Sequence, residues 1–425
     1  MNTLQERSIS EGKYRMFVIC AILFYLPLAF NVIEFKGKPV DIAASDIIVL
    51  FLLLIYGYMY WQKKVNRRES QYLLLLVVAV TFFLFLAFFG YGESGGMMPI
   101  LSAIKFEKVF LALIAGMCFS RFCDFNNFWR ISSIAALLIL LSLYISQLLI
   151  SGSFSTRWGA TAFGYPVYGF PNSSASYYIL FVMFAVIACI RGLNRYAYAG
   201  LAFLSAVFMV MSYSRSALVI LIFFLLLILF YLPVKKIIIG LIAMLPAVLI
   251  FCVTLLAASS QSVINDSRSA SLNFEARANQ TFYSSKPFGG RIEIALETIS
   301  LVEKKPFFGY KFESFSNYNS VFDTPHNQYL EILFKSGLFG FLLYFGVLVF
   351  FLFIVLKKTY SPGVSIMDRR SVVCFLLALL SLMLGNLAQP NFTFTQTGNV
   401  SFFILGFLLM TDMTKFNSAT NKSNE

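Results

Sequence analysis

The chain has 425 residues, of which 59% are hydrophobic, 17% aromatic and only 12% charged. Soluble domains sit nearer about half apolar and a quarter charged, so a soluble fold is excluded. A single histidine leaves no ligand set for a zinc-type cluster, and six cysteines inside or beside apolar runs give no disulfide framework. The formal net charge of +13 then marks one face of a membrane, and no nucleic-acid partner is expected.

Apolar runs of about 17–22 residues recur along the chain, each long enough to cross a bilayer as a helix. They predict spans near 16–33, 42–61, 71–90, 100–120, 131–150, 175–190, 196–212, 215–232, 237–258, 337–356, 371–388 and 396–411. The expected fold is an all-α polytopic membrane protein with about twelve transmembrane helices and one large outer loop containing amphipathic helices. The first run follows the polar, basic MNTLQERSISEGKYR and lacks a small-residue cleavage site, so it is read as a retained helix.

Lysine and arginine choose the sides. With the N-terminus inside, nineteen fall on cytoplasmic segments, including Lys63, Lys64, Arg121, Arg191, Lys357 and Lys358. Six fall outside when the long loop is left aside: Lys36, Lys38, Lys105, Lys108, Arg157 and Arg215. Both termini are then cytoplasmic. The organisation expected is spans one to nine in 1–257, an outer loop domain in 258–336, and spans ten to twelve with a tail in 337–425.

Glu107 is the main ionisable residue inside a span, beside Lys105 and Lys108, which are expected to pair with it. The outer loop from Arg157 to Ser173 interleaves aromatics with Gly and Asn, which suits sugar stacking and equally an interfacial aromatic belt. Ser214-Arg215-Ser216 forms a tight outer turn after the seventh span. A guanidinium near bilayer depth needs a partner, and a phosphate would serve; membrane anchoring is the other reading. Arg291 follows Gly289-Gly290 and opens a stretch where Ile292, Ala295, Leu296 and Ile299 recur at helical spacing, an amphipathic helix lying on the membrane. Lys286 and Lys311 flank it.

His326 stands in Asp323-Thr324-Pro325-His326-Asn327-Gln328-Tyr329. Thr324 is expected to cap a helix with Pro325 in its first turn, which puts His326 at a positive helix end that favours neutral imidazole. Neutral imidazole can take a proton as a general base; capping or packing is the alternative. Glu331 can pair with Lys335, and Gly337 can bend the helix before the tenth span. No GxxxxGK[ST] loop or DxD pair occurs, and no GxGxxG follows a strand. An activated donor outside the membrane must then carry its own leaving group, as a lipid pyrophosphate does.

These signals together resemble the O-antigen ligase and polymerase superfamily of bacterial envelope glycosyltransferases. The resemblance rests on Ser214-Arg215-Ser216, on Arg291 followed by Pro306-Phe307-Phe308-Gly309-Tyr310, and on His326-Asn327 with Leu330, Gly337 and Gly340, over roughly residues 205–350. It implies a metal-independent, inverting enzyme of the bacterial inner membrane, without cofactor. Its donor would be a polyprenyl-pyrophosphate-linked glycan. Its acceptor would be lipid A–core for a ligase, or a second lipid-linked glycan for a polymerase. The resemblance implies that Arg215 and Arg291 hold the pyrophosphate and that His326 is the base. Arg157, Lys286, Lys311, Asn327 and Tyr329 are further candidates for substrate contact. A sugar or lipid transporter is the alternative from another class, although the loop after span nine breaks six-plus-six symmetry.

Overall fold

The computed structural model describes residues 17–26, 29–35, 38–94, 96–151, 161–162, 165–166, 171–211, 214–231, 291–319, 324–393 and 395–413. Helix α1 covers 17–25 and leads into a hairpin of β1 (Ala29–Phe35) and β2 (Lys38–Ala43). Helices α2 (Ala44–Trp61), α3 (Arg67–Ser94), α4 (Met98–Phe119) and α5 (Phe125–Ser151) follow. A second small hairpin, β3 (Thr161–Ala162) and β4 (Tyr165–Pro166), precedes α6 (Pro171–Ile190), α7 (Arg195–Met211) and α8 (Arg215–Tyr231). The C-terminal part holds α9 (Arg291–Lys304), α10 (Gln328–Thr359), α11 (Ile366–Gly385) and α12 (Thr395–Met410).

The helical character of the sequence is realised, with two hairpins added. The first expected span, 16–33, is corrected: α1 stops by residue 25, and Ala29–Ala43 pairs as antiparallel strands. Pro27 removes a backbone donor, and the segments AFNVIEF and KPVDIA carry β-favouring residues on either side of Gly37. Among the described residues, four helical segments are long and apolar enough to cross a membrane: Ala44–Trp61, Arg67–Ser94, Phe125–Leu143 and Gln328–Thr359. Ser176–Ile190, Tyr196–Met209, Ser216–Tyr231 and Gln396–Met410 are shorter apolar helices. The expected span 237–258 lies outside the described residues.

The core is held by close backbone approach. A Cβ on Gly116 of α4 would lie 2.0 Å from the Phe403 carbonyl oxygen, and one on Gly406 of α12 would lie 2.0 Å from that of Leu113. Apolar burial supplies no net drive between helices in lipid, so glycine contacts that bring backbones together carry the association. Phe128 of α5 stacks on Phe407 of α12 at 3.8 Å, which extends the seam.

Ion pairs close both ends of the bundle. Arg191, after α6, meets Asp368 of α11 at 2.9 Å, with both side chains buried, and Arg121 pairs with Glu69. At the other end Lys108 meets Asp46 at 2.7 Å, Lys335 meets Glu331 at 2.8 Å, and Lys311 pairs with Glu93. Each pair joins residues that the alternation of basic loops assigns to one side. The expected pairing of Glu107 is corrected: Lys108 turns to Asp46, and Glu107 is buried with its Oε1 unpartnered.

Candidate functional site

The site is built around a break in α10. Gly337 has φ 65° and ψ −166°, so the helix divides into an outer segment, 328–336, and a long apolar segment beyond it. The break frees backbone groups that apolar surroundings would leave unpaired. The strand of chain at 306–312 pairs with them. Tyr310 N donates to Phe334 O at 2.7 Å and Phe312 N to Lys335 O at 3.0 Å. In return Leu338 N donates to Pro306 O at 2.7 Å and Phe339 N to Phe307 O at 3.2 Å. Gly309 and Gly337 face one another across this clamp, and a Cβ on either would enter the partner's backbone at 2.3–2.4 Å. Lys311 and Phe312 both carry positive φ, 49° and 66°, and the clamp holds them there.

Helix α9 packs on the outer segment of α10 through a small core of Ile294, Tyr310, Phe315 and Phe334. Burial, and then the Glu313 carboxylate, pushes the Tyr310 phenol above its ordinary range. Arg291 is the first residue of α9, as the sequence suggested. The expected apolar stripe faces away from the protein: Ile292, Leu296 and Ile299 are exposed, while Ile294 and Thr298 are buried.

His326 stands just before α10, half-buried, with φ 51°. The capping expectation is corrected here. Asn327, not Thr324, is the N-cap; its Oδ1 accepts from Tyr329 N at 2.9 Å and Leu330 N at 3.1 Å. An amide at that position satisfies two free helix donors, which a threonine three residues upstream cannot reach. His326 is therefore outside the helix, in the left-handed region that histidine enters more readily than most residues. Three bonds fix this corner to the end of α11. Asn327 Nδ2 donates to Leu387 O at 3.0 Å, Gln328 N to Asn386 O at 2.9 Å, and the Tyr329 hydroxyl to Met383 O at 2.8 Å. The Tyr329 ring also stacks on Phe345 at 4.9 Å.

Arg215 is the first residue of α8. Ser214 precedes it, with its Oγ 3.0 Å from Ser216 Oγ and accepting from Ala217 N at 3.4 Å. Five residues on, Ile220 packs on Gly385: a Cβ there would lie 2.3 Å from Ile220 Cδ1. The start of α8 and the start of α10 thus meet the same end of α11. Lys311 sits at the end of α3, paired with Glu93 and over the Phe89 ring at 5.7 Å. Arg157 and Lys286 lie outside the described residues.

One group escaped the sequence reading. The stretch Asn386-Leu387-Ala388-Gln389-Pro390-Asn391 reads in the sequence only as the end of a span and a short loop, yet its Asn386, Gln389 and Asn391 are buried, and Asn386 O accepts from Gln328 N of α10. The signal was present: five amides and three threonines, without one charge, between two apolar runs over residues 386–399, NLAQPNFTFTQTGN.

Residues 199–345 match the family model described as O-antigen ligase. The match runs from within α7 into α10 and contains every candidate site residue except Arg157. No curated protein matches the chain.

Proposed function

We propose, on the premise that residues 199–345 belong to the O-antigen ligase family, that the chain transfers a polyprenyl-pyrophosphate-linked glycan to an acceptor sugar at the outer face of a bacterial inner membrane. The observation that carries this reading is the junction at the end of α11. There α8, opened by Arg215, and α10, preceded by His326, each reach the same end of α11, and both helix starts lie in the matched stretch. A strained, half-buried histidine at a junction of helix starts is a reasonable place for chemistry.

In this reading His326 takes the proton of an acceptor hydroxyl. The hydroxyl oxygen attacks the anomeric carbon as the bond to the pyrophosphate oxygen breaks, and the pyrophosphate leaves with the electron pair. Attack opposite the leaving group inverts the anomeric centre. Arg215 and Arg291 neutralise charge that develops on the pyrophosphate, and the positive helix ends that they open add to this field. Among the weaker candidates, Asn327 and Tyr329 have side chains engaged in fixing the corner, and they act by setting where His326 stands.

Lipid A–core as acceptor makes the enzyme a ligase, and a second lipid-linked glycan makes it a polymerase. Surface-polysaccharide gels of a deletion strain separate the two. Loss of long chains from lipid A–core, with long chains retained on the polyprenyl carrier outside, supports the ligase. A core bearing one repeat supports the polymerase. Accumulation of lipid-linked sugar on the cytoplasmic face supports a transporter and ends the transferase reading.

A further inference from the structure

Gln328 is fully buried two residues past His326, and neither its Oε1 nor its Nε2 has a partner. Asn386 and Asn391, also fully buried, leave Nδ2 and Oδ1 unpartnered. The three belong to one knot. Gln328 N donates to Asn386 O at 2.9 Å, and Asn386 Oδ1 accepts from Asn391 N at 3.0 Å. Asn391 Nδ2 donates to Leu382 O at 3.4 Å. The backbone partners fix which way both asparagine amides point.

Two donors and two acceptors are thus left buried in this knot, and they do not bond to one another. A buried amide without partners is costly, so apolar side chains would be favoured here if packing were the whole role. These unmet amide groups carry no charge and include donors as well as acceptors. A hydroxyl, which both donates and accepts, matches it, whereas a phosphate oxygen, which only accepts, matches half of it.

Resting on the transfer reading, we propose that Gln328, Asn386 and Asn391 form a carbohydrate-hydroxyl subsite beside His326 that positions a sugar of the glycan substrates. Gln328 is the clean probe, because its side chain makes no hydrogen bond within the protein. Gln328→Met keeps its length and apolar stem and breaks no internal bond. Purified wild type and variant in nanodiscs would be given lipid-linked glycan extracted from a deletion strain, and acceptor glycan, each varied in turn. The Michaelis constant for one of them should rise about tenfold or more in Gln328→Met, with an unchanged melting temperature. Which constant rises tells whether the hydroxyl belongs to donor or acceptor.

A second arm is independent of turnover: binding of the oligosaccharide released from the carrier by mild acid. Wild type should bind it about tenfold more tightly than Gln328→Met. Equal affinities and equal Michaelis constants overturn the subsite and assign the amides to ordered water. Absence of transfer by wild type, with the affinity difference retained, rejects the transfer reading and keeps the subsite.

Discussion

Gly337→Ala tests how the break in α10 holds the site. Position 337 has φ 65° with ψ −166°, a combination that essentially only glycine adopts without strain. Forcing alanine into it costs about 1–3 kcal/mol. The new Cβ would also lie 2.3 Å from the Phe307 carbonyl carbon and oxygen and 2.5 Å from Phe308 N. These are backbone atoms that cannot swing aside, and overpacking of this kind costs about 1–3 kcal/mol more. If the clamp opens instead, four backbone bonds are lost, each worth about 0.5–1.5 kcal/mol net. Either way the loss is about 2–6 kcal/mol, a large share of a typical folding free energy. Gly346, on the same helix, has nothing within 4 Å of its position for a Cβ. Gly346→Ala should therefore be neutral or stabilising by up to about 1 kcal/mol. Thermal unfolding in nanodiscs, with limited proteolysis across 306–312, compares the two. Gly337→Ala should melt well below wild type and be cut in the clamp, while Gly346→Ala matches wild type. A Gly337→Ala protein with wild-type melting and an uncut clamp refutes the argument.

Two further outcomes are expected. Arg215→Lys keeps the charge but loses the forked geometry that suits a pyrophosphate, so most transfer should vanish in membranes where expression is equal; full activity in both the lysine and alanine variants returns Arg215 to membrane anchoring. Single cysteines at Ser316 and Ser361, in a cysteine-free background, should label oppositely with a membrane-impermeant reagent in intact cells, and equal labelling breaks the alternation of sides.

Much of this architecture was legible because its causes are local. Apolar run length marked where α2 to α8 and α10 to α12 lie, and the basic loops agree with the ion pairs that close the bundle, Arg191 with Asp368 and Lys108 with Asp46. Gly337 as a bend and Glu331 with Lys335 as a pair needed only helical spacing. Tertiary partners account for what was missed. Nothing in DTPHNQ distinguishes Thr324 from Asn327 as the cap until Leu387 O is seen to take the Asn327 amide. The pairing of Lys108 was decided by Asp46, sixty-two residues away. The backbones of Gln328 and Asn386 meet across fifty-eight residues, a proximity that no periodicity reports. The first strand of the hairpin, Ala29–Phe35, began inside the expected span 16–33, where hydropathy outweighed Pro27 and the β-forming residues.

The most direct measurement of the central claim is the transfer rate of His326→Gln at equal expression and insertion. Glutamine keeps a hydrogen-bonding amide near the acceptor but cannot take a proton, so a general base should be missed by about 10²–10⁴-fold. With lipid-linked glycan and acceptor supplied to the purified variant, transfer should fall into that range while melting stays close to wild type. Near-normal transfer by His326→Gln would contradict the account, and His326 would then only position the acceptor.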